Sequence, residues 1–125
     1  MSLNPPRILL VEDEAIIAFD IFMQLKDLGY DAVGPVKTGE RAIEAAGHLR
    51  PDLILMDIHL AGEMDGISAA QAIRTQFDLP CVFLSAFDGD ATRERAMLAK
   101  PSGYLTKPFA ECDLRTVIED ALANP

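Results

Sequence analysis

The sequence predicts an α/β fold built on a parallel sheet, and two observations support that prediction. From Arg7 onward, short apolar runs rich in β-branched residues alternate with longer stretches in which apolar residues recur every three or four positions. This alternation is typical of repeated βα units, whose strands lie parallel in one sheet. The first, third and fourth apolar runs are also continuously hydrophobic, as expected of central strands covered by helices on both faces. Five such units fit the chain and admit a doubly wound sheet.

Each predicted strand coincides with one short apolar run. The strands span Ile8–Val11, Asp31–Pro35, Leu53–Met56, Cys81–Leu84 and Gly103–Thr106. The predicted helices span Glu14–Leu28, Gly39–Leu49, Gly66–Phe77, Asp90–Ala99 and Ala110–Ala123. Gly29 follows the first helix where a C-cap is expected, and a proline follows each of the next three helices.

Length and composition predict one domain. The chain has 125 residues, of which half are hydrophobic, and this is enough for a single core. We expect residues 1–6 to be a disordered or tag-derived lead-in and residues 7–123 to form the domain. The 20 acidic residues outnumber the 11 basic ones. The resulting net charge of −9 disfavours direct binding of nucleic acid or of anionic membranes by this segment.

The two cysteines predict neither a metal site nor a disulfide framework. Cys81 and Cys112 are far apart and lack the spacing of zinc ligands. Cys81 lies in an apolar run, so we expect it to be a small core residue. With no apolar stretch long enough to span a membrane and no signal-peptide pattern, the sequence favours a cytoplasmic location.

Polar side chains that could bind a metal ion or take part in a reaction stand at the carboxyl ends of four predicted strands. Glu12 and Asp13 follow the first strand, Asp57 follows the third, and Ser85 and Lys107 stand at the ends of the fourth and fifth. Because the carboxyl ends of parallel strands meet at one edge of a sheet, we expect these side chains to form one site.

Clustered carboxylates repel one another, so such a site is expected to hold a compensating cation. Mg²⁺ favours oxygen ligands and is commonly bound by one or two carboxylates together with phosphate oxygens. An aspartate can also attack phosphorus to form an acyl phosphate, and Asp57 is the candidate. Lys107 would neutralise charge on the transferred group, and Ser85 would donate its hydroxyl to a phosphoryl oxygen.

Each of these residues also has a purely structural interpretation. Glu12, Asp13 and Glu14 could complement the N-terminus of the first helix, and Asp57 could form a turn. Ser85 could cap its strand, and Lys107 could be a solvated surface charge. Their joint placement at successive strand ends favours the functional interpretation.

The chain resembles the response-regulator receiver family from Arg7 to about Leu122. Five sequence landmarks in family order carry the resemblance: VEDE at 11–14, PDLILMDI at 51–58, MDGI at 64–67, FLSA at 83–86 and GYLTKPF at 103–109. The resemblance implies a flavodoxin-like (βα)₅ fold with strand order 2-1-3-4-5 and helices on both faces of the sheet. It also implies a cis peptide bond between Lys107 and Pro108.

The resemblance assigns roles at the site residue by residue. Asp57 is similar to the family phosphoacceptor and metal ligand, with Glu12, Asp13 and the backbone carbonyl of His59 completing the protein ligands of Mg²⁺. Lys107 corresponds to the lysine that contacts the phosphate. The remaining matches are the switch residues Ser85 and Tyr104, whose ring turns inward when the hydroxyl moves, and the small residue Ala86.

Two segments depart from the common family pattern. The stretch from Asp57 to Gly66 is one residue longer and has Ala61 where a proline often stands, so we expect a different path into the third helix. Lys100-Pro101-Ser102 replaces a run of small residues before the fifth strand. His59 and Phe87 occupy the two positions that border the phosphate, and their bulk is expected to slow the access of water.

The resemblance implies a signalling switch. Phosphate would come from a histidine kinase or a histidine phosphotransfer protein, in a phosphorelay that ends on a downstream protein or a fused output domain, with a homodimer possible. The domain would catalyse its own phosphorylation and possibly its dephosphorylation without being a metabolic enzyme. A metal-dependent phosphatase would need an acid/base aspartate where His59 stands, and a flavin carrier would need a phosphate-binding loop where Glu12 and Asp13 stand.

Overall fold

Five strands and five helices alternate along the computed structural model, which describes residues 4–60, 62–86 and 90–124. The strands are β1 (Arg7–Val11), β2 (Asp31–Val36), β3 (Leu53–Asp57), β4 (Cys81–Ser85) and β5 (Gly103–Thr106). The helices are α1 (Ala15–Asp27), α2 (Gly39–Leu49), α3 (Gly66–Phe77), α4 (Asp90–Leu98) and α5 (Glu111–Ala123). The sheet order is β2-β1-β3-β4-β5 and all neighbouring strands are parallel. The predicted fold class and strand order are therefore confirmed.

The element boundaries differ from the predicted ones by one residue at several ends. Asp57 and Ser85 are the last residues of β3 and β4, because the parallel ladder continues through them: Asp57 pairs with Leu84, and Ser85 pairs with Thr106. Glu14 precedes α1 as an N-cap in an extended conformation. The ladder thus fixes the backbone of Asp57 and Ser85 directly.

The core lies on both faces of the sheet, as the continuous apolar runs of the central strands predict. Alternate residues of a strand point to opposite faces, so Leu55 packs with α1 and α5 while Met56 packs with α2 and α3. Both side chains are fully buried, and each such burial stabilises the fold by about 1.5–3 kcal/mol. The central strands are therefore a rigid support for the residues at their carboxyl ends.

Cys81 is a core residue, as predicted. It is 5% exposed, and burial raises the pKa of its thiol to about 12. Among the described residues two peptide bonds are cis, at Lys107-Pro108 as the resemblance implies and also at Gly34-Pro35, which was not predicted. Across the part of the chain that the structure describes, no helix has the length and apolar character needed to cross a membrane.

Gly66 lets α3 begin directly against the end of β3. Its N–H donates a hydrogen bond of 2.8 Å to the carbonyl oxygen of Ile58. A Cβ atom at this position would overlap the carbonyl oxygen of Asp57, which is backbone and cannot move aside. The close approach therefore requires glycine, and it couples the start of α3 to the residue that ends β3.

We expect Gly66→Ala to lower the free energy of unfolding by about 1–3 kcal/mol, since the added methyl group forces the backbone apart. Urea denaturation measures the change. Gly39→Ala is the matched control at the first residue of α2, because the atoms nearest to its Cβ belong to the flexible side chain of Met64. Equal stability of the two variants would contradict this account of Gly66.

Candidate functional site

Three carboxylates and one lysine meet at the carboxyl edge of the sheet. Carboxylate oxygens of Glu12, Asp13 and Asp57 all lie within 4.8 Å of one another. The Lys107 Nζ atom lies 2.5 Å from Glu12 Oε1 and 3.7 Å from Asp57 Oδ2. The structure thus brings together residues from the ends of β1, β3 and β5, as the strand-end argument expects.

Two of the carboxylates are almost fully buried. Glu12 is 1% exposed and Asp57 is 5% exposed, whereas Asp13 is half-buried. Burial of an ionised carboxylate is costly unless hydrogen bonds and opposite charge compensate it. The N–H of Glu14 donates to Glu12 Oε2 and the N–H of His59 donates to Asp57 Oδ1, both at 3.2 Å. Lys107 supplies the nearby positive charge.

Lys107 compensates the negative charge of Glu12 more than that of Asp57, because it lies closer to Glu12. The pKa values of the two acids therefore shift in opposite directions. Burial and the hydrogen bond with Glu12 raise the pKa of Asp57 from 3.8 to about 7, although Lys107 opposes the shift. Burial also acts to raise the pKa of Glu12, but its hydrogen bonds with Lys107, Asp57 and the Glu14 N–H outweigh burial and lower that pKa. Asp57 is therefore the carboxylate that lacks sufficient positive charge.

The donor set fits a hard divalent cation. With all three acids ionised and Lys107 protonated, two negative charges remain uncompensated, and they match the charge of one such ion. The ligand atoms offered are carboxylate oxygens, which magnesium and calcium prefer. Asp13 is the least buried of the three, so a cation bound here would retain access to water.

The backbone beside Asp57 is held in place, while the side chain of His59 is exposed. Because the N–H of His59 bonds to the acceptor carboxylate, residue 59 lies next to the site. Its carbonyl as a metal ligand stays a prediction. Ala61 and Phe87, which were expected to shape the loop and to border the phosphate, lie outside the described residues.

Ser85 and Tyr104 occupy the neighbouring strands β4 and β5. The Ser85 side chain is fully buried, and its hydroxyl donates a 2.8 Å hydrogen bond to the carbonyl of the adjacent residue Ala86. The N–H of Lys107 donates to the Ser85 carbonyl at 2.7 Å, which ties the two strand ends together. Tyr104 is half-buried, and the guanidinium of Arg93 lies 5.2 Å from the centre of its ring.

Three contacts near the site were not predicted from the sequence. They are the preference of Lys107 for Glu12, the position of Arg93 over Tyr104, and an ion pair of 2.9 Å between Arg95 and Asp65. Only Asp65 carries a sequence signal, because an aspartate directly before a predicted helix is a favourable N-cap. The other contacts depend on side-chain positions that periodicity does not specify.

Comparisons with known proteins point in one direction. A family model described as response regulator receiver domain matches residues 8–119. The transcriptional regulatory protein PdtaR of Mycobacterium tuberculosis is 40% identical over 120 residues, which cover 96% of this chain and 58% of that protein. The phyllosphere-induced regulator PhyR of Methylorubrum extorquens is 34% identical over 118 residues, covering 93% of this chain and 43% of that protein. The chain thus spans about half the length of these curated relatives.

Solved structures give the same result. The signal receiver domain of a modulated diguanylate cyclase from Desulfovibrio desulfuricans superposes with a TM-score of 0.90 at 38% identity, covering 96% of this chain and 95% of that chain. The receiver domain of RstA from Klebsiella pneumoniae superposes with a TM-score of 0.85 at 29% identity, covering 93% and 97% of the two chains.

Proposed function

This chain belongs to the response-regulator receiver domain family, and from that premise we propose that Asp57 is its phosphoacceptor and that Mg²⁺ binds at Glu12, Asp13 and Asp57. A receiver takes up a phosphoryl group and relays a signal. One observation supports the assignment to Asp57: of the two buried carboxylates at the sheet edge, Glu12 is paired with Lys107 at 2.5 Å, whereas Asp57 lies 3.7 Å from Lys107 and is the one left short of positive charge. The backbone carbonyl of His59 is the proposed fourth protein ligand.

The proposed reaction is in-line transfer to a carboxylate oxygen. An oxygen of Asp57 forms a bond to phosphorus while the bond between phosphorus and the donor's histidine nitrogen breaks. Lys107, whose Nζ atom lies 3.7 Å from Asp57 Oδ2, neutralises negative charge on the phosphoryl oxygens. When Mg²⁺ is bound it supplies further charge neutralisation and orientation. The chain thus promotes its own phosphorylation as a signalling domain, and it is not a metabolic enzyme.

The proposed switch begins at Ser85. Its hydroxyl leaves the Ala86 carbonyl and donates to a phosphoryl oxygen, and the movement frees space into which Tyr104 turns. Ala86 is exposed, so the position next to the hydroxyl leaves the phosphate accessible. The change at β4 and β5 would then alter the surface that a partner recognises.

The proposed partners follow from that chemistry. A histidine kinase or a histidine phosphotransfer protein donates phosphate, and a downstream protein, a fused output domain or a second copy of the chain receives the signal. We propose that residues 7–123 form the functional unit after the lead-in 1–6, and that it works in the cytoplasm. A net charge of −9 argues against direct contact with nucleic acid or membranes by this segment.

The test is incubation with acetyl phosphate followed by intact-mass measurement. We expect one phosphoryl adduct with Mg²⁺ present, and none in EDTA or in the Asp57→Asn variant. Asp27→Asn is the matched control, because Asp27 is an exposed aspartate at the end of α1. An adduct that survives in Asp57→Asn would refute the assignment, and the absence of any adduct from acetyl phosphate or a cognate kinase would refute the proposed function.

A further inference from the structure

Helix α4 is only weakly anchored by apolar packing. Of its described side chains, Ala96 alone is fully buried, whereas Met97 is 43% exposed and Leu98 is 77% exposed. An alanine contributes little apolar area, and a helix of nine residues is marginal without tertiary support. In contrast, α5 buries Leu114 and Ile118. The position of α4 therefore depends on its polar contacts more than that of α5 does.

Two arginines on α4 make such contacts with two different neighbours. Arg95 Nη2 lies 2.9 Å from Asp65 Oδ2, and Asp65 is the N-cap of α3, where it accepts a hydrogen bond from the Ser68 N–H. Arg93 places its guanidinium 5.2 Å from the centre of the Tyr104 ring on β5. The helix is thus tied to α3 on one side and to β5 on the other.

Both contacts adjoin groups that the phosphorylation site would move. Asp65 precedes Gly66, which packs directly on the carbonyl of Asp57 and bonds to the carbonyl of Ile58. The α3 cap is therefore joined to the phosphoacceptor residue through backbone contacts. In the proposed switch Tyr104 turns inward, and that turn would withdraw its ring from Arg93.

We propose that Arg93 and Arg95 form a latch that holds α4 in the unphosphorylated conformation, an inference that rests on the proposed function. Phosphorylation would open the latch because the inward turn withdraws Tyr104 from Arg93, and because it adds a charged group next to the residue that contacts the α3 cap. By linkage, opening favours phosphorylation by the same factor by which phosphorylation favours opening, so a weakened latch favours phosphorylation by up to that factor. Arg95 and Asp65 are 55% and 34% exposed, so each contact is modest and the latch remains reversible.

Amide hydrogen exchange of residues 91–98 in the unphosphorylated protein tests the latch. Each of Arg93→Ala and Arg95→Ala should speed exchange in α4 by about two- to fivefold, as expected for one exposed cation–π contact or ion pair. Exchange in α5 should not change. Arg41→Ala is the matched control, since Arg41 is an exposed arginine on α2.

Partner substitutions show whether the named pairs are responsible. Asp65→Asn retains an N-cap but removes the charge, so Arg95→Ala should have no further effect in that background. Tyr104→Phe keeps the ring and should preserve the effect of Arg93→Ala, whereas Tyr104→Leu should eliminate it. Effects of the arginine substitutions that persist without their partners would overturn the latch.

The coupling to phosphorylation has a separate measurement. At limiting acetyl phosphate, the phosphorylated fraction of Arg93→Ala and Arg95→Ala should exceed that of the wild type, while Arg41→Ala should match it. Unchanged exchange in α4, in protein that still accepts phosphate, overturns the latch and leaves the proposed function intact. A wild type that accepts no phosphate overturns the proposed function and the coupling together.

Discussion

Replacing Lys107 with methionine is expected to slow phosphorylation by acetyl phosphate by about a hundred- to a thousandfold at saturating Mg²⁺. Removal of one positioned charge from a site that stabilises a developing anion commonly has this effect. Lys107 has a rigid location, because it is 17% exposed and its Nζ atom lies between Glu12 and Asp57. Methionine has a comparable length and an apolar side chain, so a lower rate of phosphorylation would be due to the missing positive charge.

Lys107 also stabilises the fold, and this second role must be separated from the first. Without it, Glu12 would be a buried carboxylate without its 2.5 Å partner, and removing one member of such a pair is more costly than removing both. We therefore expect Glu12→Gln to restore stability to Lys107→Met in EDTA without restoring the rate of phosphorylation. Urea unfolding and the time course of the adduct measure the two quantities.

Two controls make the Lys107 experiment specific. Lys100→Met removes an exposed lysine elsewhere on the surface and should leave the rate unchanged. Lys107→Arg keeps the charge, so its rate of phosphorylation should fall less than that of the methionine variant. A folded Lys107→Met protein that gains phosphate at the wild-type rate would show that Lys107 has no part in the transfer.

The strand-end residues show how much of the site could be predicted from the sequence. Parallel pairing brings the carboxyl ends of strands to one edge, so the meeting of Glu12, Asp57 and Lys107 follows once the βα pattern is recognised. The strand order and the roles of the residues came from the family resemblance, because periodicity identifies strands but does not order them. The strand order is observed directly in the structure.

Other features depend on differences in side-chain position of about one ångström, which the sequence pattern does not determine. Lys107 lies closer to Glu12 than to Asp57, and that difference sets which acid is left undercompensated. The sequence places Arg93 and Arg95 on a predicted helix but does not identify the groups that they contact. Their contacts arise because α4 lies near both α3 and β5, and no local signal encodes that arrangement.

The metal-free protein should lose stability between about pH 4 and pH 7, because of Asp57. Its pKa is 3.8 in an unperturbed chain and about 7 in the fold, so over this range the folded state holds a proton that the unfolded chain has released. The state that binds more protons is favoured at lower pH, and stability therefore falls as pH rises through this window. The lowered pKa of Glu12 acts in the opposite direction but only below about its ordinary 4.5.

Asp57→Asn removes this loss, and we expect it to raise the free energy of unfolding at pH 8 in EDTA by about 2–4 kcal/mol. Near pH 3, below both pKa values, the variant and the wild type should have similar stability, since Asp57 is then largely protonated in both states. Asp27→Asn, an exposed control, should follow the wild type throughout. Urea unfolding at a series of pH values gives the comparison.

Adding Mg²⁺ at pH 8 should close most of the gap between wild type and Asp57→Asn. A ligand that binds only the folded state stabilises it by about 2.7 kcal/mol at a hundred times its dissociation constant. The variant offers one carboxylate fewer and should gain much less, so the two stabilities converge as Mg²⁺ is raised. A wild type that becomes more stable from pH 5 to pH 8 in EDTA, with the variant changing in parallel, would show that Asp57 is adequately compensated without a metal.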